Sequence, residues 1–275
     1  MEASQAIKRA VSIALEEDIG EGDVTAASFS VNQIVNATVI CRDEAVLCGQ
    51  PWVNETFLQL DPDITIEWLV QDGSQMEMNS TVCVMHGNAQ AILTGERTAI
   101  NFLQTLSATA TLTRTFVDRI AGTSAQILDT RKTLPGMRHA QKYAVLCGGG
   151  KNHRMGLYDA ILIKENHIAA AGSIELAISM AKQKFPELKL EVEVESNDQL
   201  KEVINTEADT ILLDNFSLSE LEAAVSINEN KKELEASGNI TLDNIREIAK
   251  TGVNYISIGA ITKNISAVDF SMRLE

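Results

Sequence analysis

Residues 190–226 read LEVEVESNDQLKEVINTEADTILLDNFSLSELEAAVS. Two rhythms alternate in this stretch. LEVEVES and TILLDNF are short runs of the kind that form strands, where successive side chains face opposite sides. NDQLKEVINT and LSELEAAVS space their apolar residues as an amphipathic helix does. Strand, helix, strand and helix in direct succession imply parallel pairing, because each helix carries the chain back to the same end of the sheet. The rhythm extends outward in both directions. AQILDTRK (125–132), AILIKENH (160–167), LEASGNI (234–240) and YISIGAI (255–261) each begin as a short apolar run, and SIELAISMAKQKF and LDNIREIAKT read as helices between them. Six strands result, two short of the common eightfold α/β barrel, and the pattern does not say how such a barrel closes.

The first part of the chain has another texture. Ile7, Ala10, Val11, Ala14 and Leu15 recur at helical spacing. From 31 to 86, ATVICRDEAVLCG, ITIEWLV and TVCVMHG are β-rich runs bounded by turn signals, which reads as a small sheet-containing domain. ILTGERTAINFLQTLSATATLTRTFVDRIAG then reads as one helix or two, bridging to the barrel. The 275 residues carry a formal charge of −15, with 45% apolar and 22% charged residues. Such an acidic globular chain is not expected to bind nucleic acid or anionic membranes. Cys41, Cys48, Cys83 and Cys147 show no CxxC pair and are expected as reduced thiols. Neither a secretory leader nor a membrane span is legible, so a cytoplasmic protein is expected.

The chemistry collects where the barrel strands end, the face on which such barrels build their sites. Asp129, Arg131 and Lys132 end the first strand, and Lys164, Glu165 and Asn166 the second. Glu191, Glu193 and Glu195 alternate through the third, and Asp214 and Asn215 end the fourth. Ser237–Gly238 and Gly259–Ala260 end the last two, as candidate phosphate turns, the former leading into a helix expected to start near Thr241. Residues 129–167 hold seven Lys or Arg against three Asp or Glu, while the rest of the chain holds 16 against 35. A cationic pocket in an acidic body attracts a small anion. The run CGGGKNHR (147–154) fits a loop that cradles an anion and equally a plain flexible turn. One outward-facing row of solvated carboxylates would account for two of the three glutamates. In a closed barrel at least one should reach the mouth and join Asp214, a pair suited to Mg²⁺ shared with substrate phosphates. A strand-end lysine such as Lys164 would also suit a Schiff-base lyase, and a non-catalytic anion-binding protein would share the cationic pocket.

The stretch DTRKTLPGMRHAQKYAVLCGGGKNHRMGLYDAILIKENH, with GERTAINFLQ, EVEVES, LLDNF, EASGNI and ISIGAITKN, resembles the quinolinate phosphoribosyltransferases over nearly the whole chain. The resemblance implies an N-terminal α/β sandwich (1–108) and an incomplete, six- to seven-stranded α/β barrel (109–267) of the type II phosphoribosyltransferase kind, with the tail 268–275 returning to the sandwich. It implies a pentosyltransferase that joins quinolinate to phosphoribosyl pyrophosphate with Mg²⁺, releasing pyrophosphate and CO₂ in NAD synthesis. It also implies a homodimer with shared active sites. Arg131, Lys132, His153, Arg154 and Lys164 then form the pocket for the two quinolinate carboxylates, with Arg97 reaching in from the other subunit. Glu193 and Asp214 serve the ribose and hold the metal, directly or through water. Ser237, Gly238, Gly259 and Ala260 form the 5′-phosphate turns, and Lys132 and Lys164 also touch the donor. The catalytic set is Lys132, Lys164, Glu193 and Asp214. The roles of Arg138, His139, Lys151 and His167 stay open.

Overall fold

A computed structural model describes residues 3–28 and 33–275; the expected start of the β-rich segment at 31 lies outside the described residues. In chain order the elements are α1 (Ala3–Ile19), β1 (Ile34–Cys41), β2 (Ala45–Val46), α2 (Gln50–Leu60), β3 (Thr65–Trp68), β4 (Gln75–Met76), β5 (Thr81–Asn88) and α3 (Ala89–Arg119). There follow β6 (Gln126–Leu128), α4 (Arg138–Cys147), β7 (Ile161–Ile163), α5 (Glu165–Ala171), α6 (Ile174–Lys184), β8 (Leu190–Val194), α7 (Asn197–Val203) and β9 (Thr210–Asp214). The chain ends with α8 (Leu218–Asn228), β10 (Glu233–Ser237), α9 (Ile245–Lys250), β11 (Tyr255–Ser257), α10 (Ala260–Lys263) and β12 (Phe270–Leu274). Two compact units result. The first contains Met1–Arg114, Thr133–Gly149 and Ile261–Glu275, and the second Thr115–Lys132 and Gly150–Ala260.

In the first unit an antiparallel sheet runs in the order β12-β1-β5-β3. Alternate residues of β1 (Val35, Ala37, Val39, Cys41) are buried and pack with Phe57, Met85, Leu103 and Phe270, the layer of sheet against helix that defines a sandwich. A second cluster places Val11 and Leu15 of α1 against Trp52, Leu106 and Ala144. Between Ala89 and Arg119 the expected one or two helices are a single helix. Its only glycine, Gly95, interrupts nothing, because it lets α2 approach so closely that an added Cβ would lie 2.7 Å from both Phe57 and Leu60. The helix α2 was not legible, since Gly49 and Pro51 at its start look like a loop. Pro51 instead stands in the first turn, where a missing N–H costs nothing.

The second unit is a six-stranded parallel sheet in the order β6-β11-β10-β9-β8-β7. All six expected strands form. One face carries the apolar alternation, with Val192, Val194, Ile211, Leu213, Leu234, Ala236 and Ile256 nearly or fully inaccessible. Helices α6, α7 and α8 start on Ser173, Ser196 and Ser217, whose Oγ atoms accept from the third-residue N–H of each helix. The sheet is not flat. Lys151 forms a single parallel bridge with Leu128 at the free edge of β6. Two residues later, His153 meets Glu191 of β8, four places along the strand order. The sheet must therefore curl around, with β6 and β7 left unpaired to each other: an incomplete barrel. The helix expected near Thr241 begins at Ile245. Asn244 Oδ1 accepts the Thr241 N–H at 2.8 Å and holds residues 241–244 as a turn instead.

Candidate active site

The inner face of the curled sheet is acidic, and depth divides it in two. In the interior, His153 Nε2 lies 2.7 Å from Glu191 Oε2 and 3.7 Å from Glu235 Oε2. The backbone N–H of Arg154 donates to His153 Nδ1 at 2.8 Å, so Nε2 is the nitrogen that donates to Glu191. The His153 backbone is held in turn by the buried Asp129, whose carboxylate accepts its N–H at 2.9 Å. Glu235 is only 2% exposed. Burial, and then the adjacent Glu191, push its carboxyl well above the ordinary glutamate range. Those two influences favour the protonated form of Glu235. One oxygen of each, Glu191 Oε1 and Glu235 Oε1, has no hydrogen-bond partner.

At the rim the same strands present open charge. Lys164, at the end of β7, is hydrogen-bonded to Glu193 of β8. Burial raises the Glu193 carboxyl, the Lys164 ammonium lowers it, and Asp214 on β9 raises it again. Glu193 and Asp214 therefore feel each other's charge, and two hard carboxylates so placed fit a divalent cation shared with a phosphate-bearing ligand. Asp214 Oδ1 accepts the Ser237 hydroxyl at 2.6 Å. Gly238 follows with φ +91°, a conformation that favours glycine, and an added Cβ would collide with Asn215. Burial and the neighbouring Arg131 both lower the affinity of Arg154 for its proton, and Arg154 Nη1 donates to the Ala160 carbonyl, just before β7, at 3.3 Å. Lys132 lies over Gly259, where an added Cβ would come within 2.9 Å of its Cδ. The second unit thus brings Arg131 to Arg154, Lys132 to Gly259, and Lys164 to Glu193 and Asp214.

Residues 23–107 match the quinolinate phosphoribosyl transferase N-terminal domain and residues 109–273 its C-terminal domain. The chain belongs to the quinolinate phosphoribosyltransferase family. It is 40% identical over 257 residues to the probable nicotinate-nucleotide pyrophosphorylase (carboxylating) of Bacillus subtilis, covering 93% of this chain and 89% of that protein. It is 37% identical over 290 residues to the chloroplastic nicotinate-nucleotide pyrophosphorylase (carboxylating) of Arabidopsis thaliana, covering 98% and 83%. The fold superimposes on the nicotinate-nucleotide pyrophosphorylase of Francisella tularensis with a TM-score of 0.96 at 48% identity, covering 99% of this chain and 97% of that one.

Against this family background several sequence readings change. The alternation in EVEVES does not make a mostly solvated row: Glu191 is buried, Glu193 half-buried, and only Glu195 exposed. The triple glycine is architectural. Gly148 ends α4, where an added Cβ would strike Ala110 O and Thr113 at 2.5 Å, and Gly149 turns the chain at φ +90°. His167 belongs to the support of Lys164, since its Nδ1 accepts the Lys164 N–H at 3.0 Å. Arg138 donates from Nε to Thr133 Oγ1 at 3.2 Å, and Lys151 bridges through its backbone with its side chain exposed. Arg97 is exposed on α3 in the first unit, beside buried Thr98, Ala99 and Ile100. Glu235 was missed as a site residue. Its signal was available, a charged residue between Leu234 and Ala236 in a barrel strand, the same anomaly that drew attention to Glu191.

Proposed function

We propose that this chain transfers the phosphoribosyl group of phosphoribosyl pyrophosphate to the ring nitrogen of quinolinate, giving nicotinate mononucleotide, pyrophosphate and CO₂ in NAD synthesis. The observation that carries the reading is the grouping of charge in the barrel: Arg131 beside Arg154, and Lys164 with Glu193 near Asp214. Quinolinate is a dianion and its partner a polyphosphate, so bringing them together needs several fixed cations. Planar guanidinium forks match carboxylates. Arg131, Arg154, Lys132 and Lys164 hold the two acids. His153 acts by fixing the Arg154 backbone from below, both its ring nitrogens being engaged inside the barrel. Ser237, Gly238, Gly259 and Ala260 receive the 5′-phosphate.

The ring nitrogen supplies the electron pair that forms the bond to the anomeric carbon, and the carbon–oxygen bond to pyrophosphate breaks. Positive charge develops on the sugar, and Glu193 and Asp214 stabilise it electrostatically. No protein nucleophile is required. The attached nitrogen is then cationic and stabilises the electron pair left on the adjacent ring carbon when the neighbouring carboxylate departs as CO₂; that carbon then takes up a proton. Glu193 and Asp214 are the residues that would hold Mg²⁺, which when bound would supply counter-charge for the pyrophosphate leaving group. The working form is a cytoplasmic homodimer in which Arg97 of the partner subunit completes the acid pocket. Leu157 and Tyr158, 75% and 70% exposed beside the cationic loop, are apolar surface that a second subunit would cover.

The test is pyrophosphate release with quinolinate or nicotinate as acceptor. Quinolinate should give the higher kcat/KM with stoichiometric CO₂; a preference for nicotinate overturns the assignment. Arg97→Ala and Arg154→Ala proteins, each nearly inactive, should regain part of the activity when mixed, and failure after proven subunit exchange rejects the shared site.

A further inference from the structure

A second cluster of ligand-type side chains lies in the first unit and takes no part in the reaction above. Cys48 Sγ, an Asp72 carboxylate oxygen and Cys147 Sγ all lie within 4.8 Å of one another. They arrive from three separate segments: the turn between β2 and α2, the turn between β3 and β4, and the last residue of α4. Each is held by its own scaffold. The Cys48 N–H donates to Ser107 Oγ at 3.0 Å, and the Ser107 hydroxyl donates back to the Cys48 carbonyl at 3.2 Å. Asp72 Oδ1 accepts the N–H groups of Gly49 and Gln50 at 3.0 and 3.3 Å, while Oδ2 accepts the Tyr143 hydroxyl at 2.8 Å. Gly73, at φ +86°, allows the Asp72 turn to lie against the end of α4, where an added Cβ would sit 3.3 Å from the Cys147 carbonyl.

Two sulfurs and a carboxylate therefore meet at the C-terminal end of a helix, whose unpaired carbonyls add partial negative charge. That corner favours a bound cation. Soft sulfur with one carboxylate selects a metal of the zinc type, and three protein ligands leave a fourth, tetrahedral position for water. We propose that Cys48, Asp72 and Cys147 form a binding site for a thiophilic divalent cation that ties the three segments together. Binding exchanges the two thiol protons, released to solvent, for two metal–sulfur bonds, with no electrons transferred. Tyr143 and the Gly49 and Gln50 amides orient the Asp72 carboxylate as outer supports. Cys147 is half-buried and gives the ion its approach, whereas Cys48 is fully buried.

The test uses the full chain, reduced, stripped with chelator and titrated with Co²⁺ without air. One Co²⁺ should bind per chain with a thiolate-to-cobalt charge-transfer band, and Zn²⁺ should displace it. Cys147→Ser should lose the band, while Cys83→Ala, outside the cluster, should keep it. Tyr143→Phe keeps all three ligands and should bind about 10- to 100-fold more weakly; it carries the test should the serine variant not fold. Absence of the band in the unmodified protein, its persistence in Cys147→Ser, or unchanged affinity in Tyr143→Phe overturns the proposal. So does loss of two reactive thiols to a disulfide with no cobalt bound.

Discussion

Glu193 and Glu235 are both glutamates on the inner face of one parallel sheet, yet they do opposite work. Glu193 sits at the rim, paired with a Lys164 side chain that is 42% exposed. Glu235 sits in the interior beside Glu191 and His153, at 2% exposure. At the rim, the Lys164 ammonium offsets part of the burial that raises the Glu193 carboxyl, and ligands that enter and leave can add further counter-charge. In the interior, burial and the neighbouring Glu191 favour the protonated form of Glu235. The lesson is that residue type and strand face do not assign a role in a barrel; distance from the mouth does.

The same substitution at the two depths should separate these roles. Glu193→Gln preserves shape and an acceptor for Lys164 but removes the charge. It should lower kcat about 10²- to 10³-fold, a loss of about 2.7–4 kcal/mol, with little change in melting temperature. Near-normal turnover would remove Glu193 from the reaction. The interior change should be far smaller in activity and visible mainly in stability. The Glu235 carboxyl is raised above its ordinary value of 4.5. The folded protein therefore holds a proton that the unfolded chain gives up as pH rises past that value. The stability that this group contributes is full below the ordinary value and is lost as pH rises toward the folded value. Glu235→Gln cannot lose a proton in either state and can still donate to Glu191. Its melting temperature should fall less steeply from pH 5 upward, ending about 2–4 °C above the unmodified protein on the alkaline side. A parallel pair of melting curves would show that Glu235 is not held as the acid.

The barrel strands were legible because each couples a short apolar run to a polar end, and periodicity reports that directly. The rim residues were legible for the same reason: Lys164, Asp214 and Ser237 stand where the apolar run stops. Depth was not, since Glu191 and Glu193 occupy equivalent places in an alternating run and only the curl of the sheet separates them. The helix α2 stayed hidden because its first residues are turn formers, and the start of α9 was misplaced because Thr241 and Asn244 bond to each other before the helix begins. The role of the glycines in CGGGKNHR depends on what α4 packs against, namely Ala110 and Thr113 some thirty-five residues earlier in the chain. No local pattern carries that.

The strand β12, formed by residues 270–274, completes one edge of the sheet begun by β1 at residue 34. Those residues are made long after β1. Until they are made, β1 waits with one row of N–H and C=O groups open to any passing extended chain. Loss of β12 would leave that edge open to pairing with other chains.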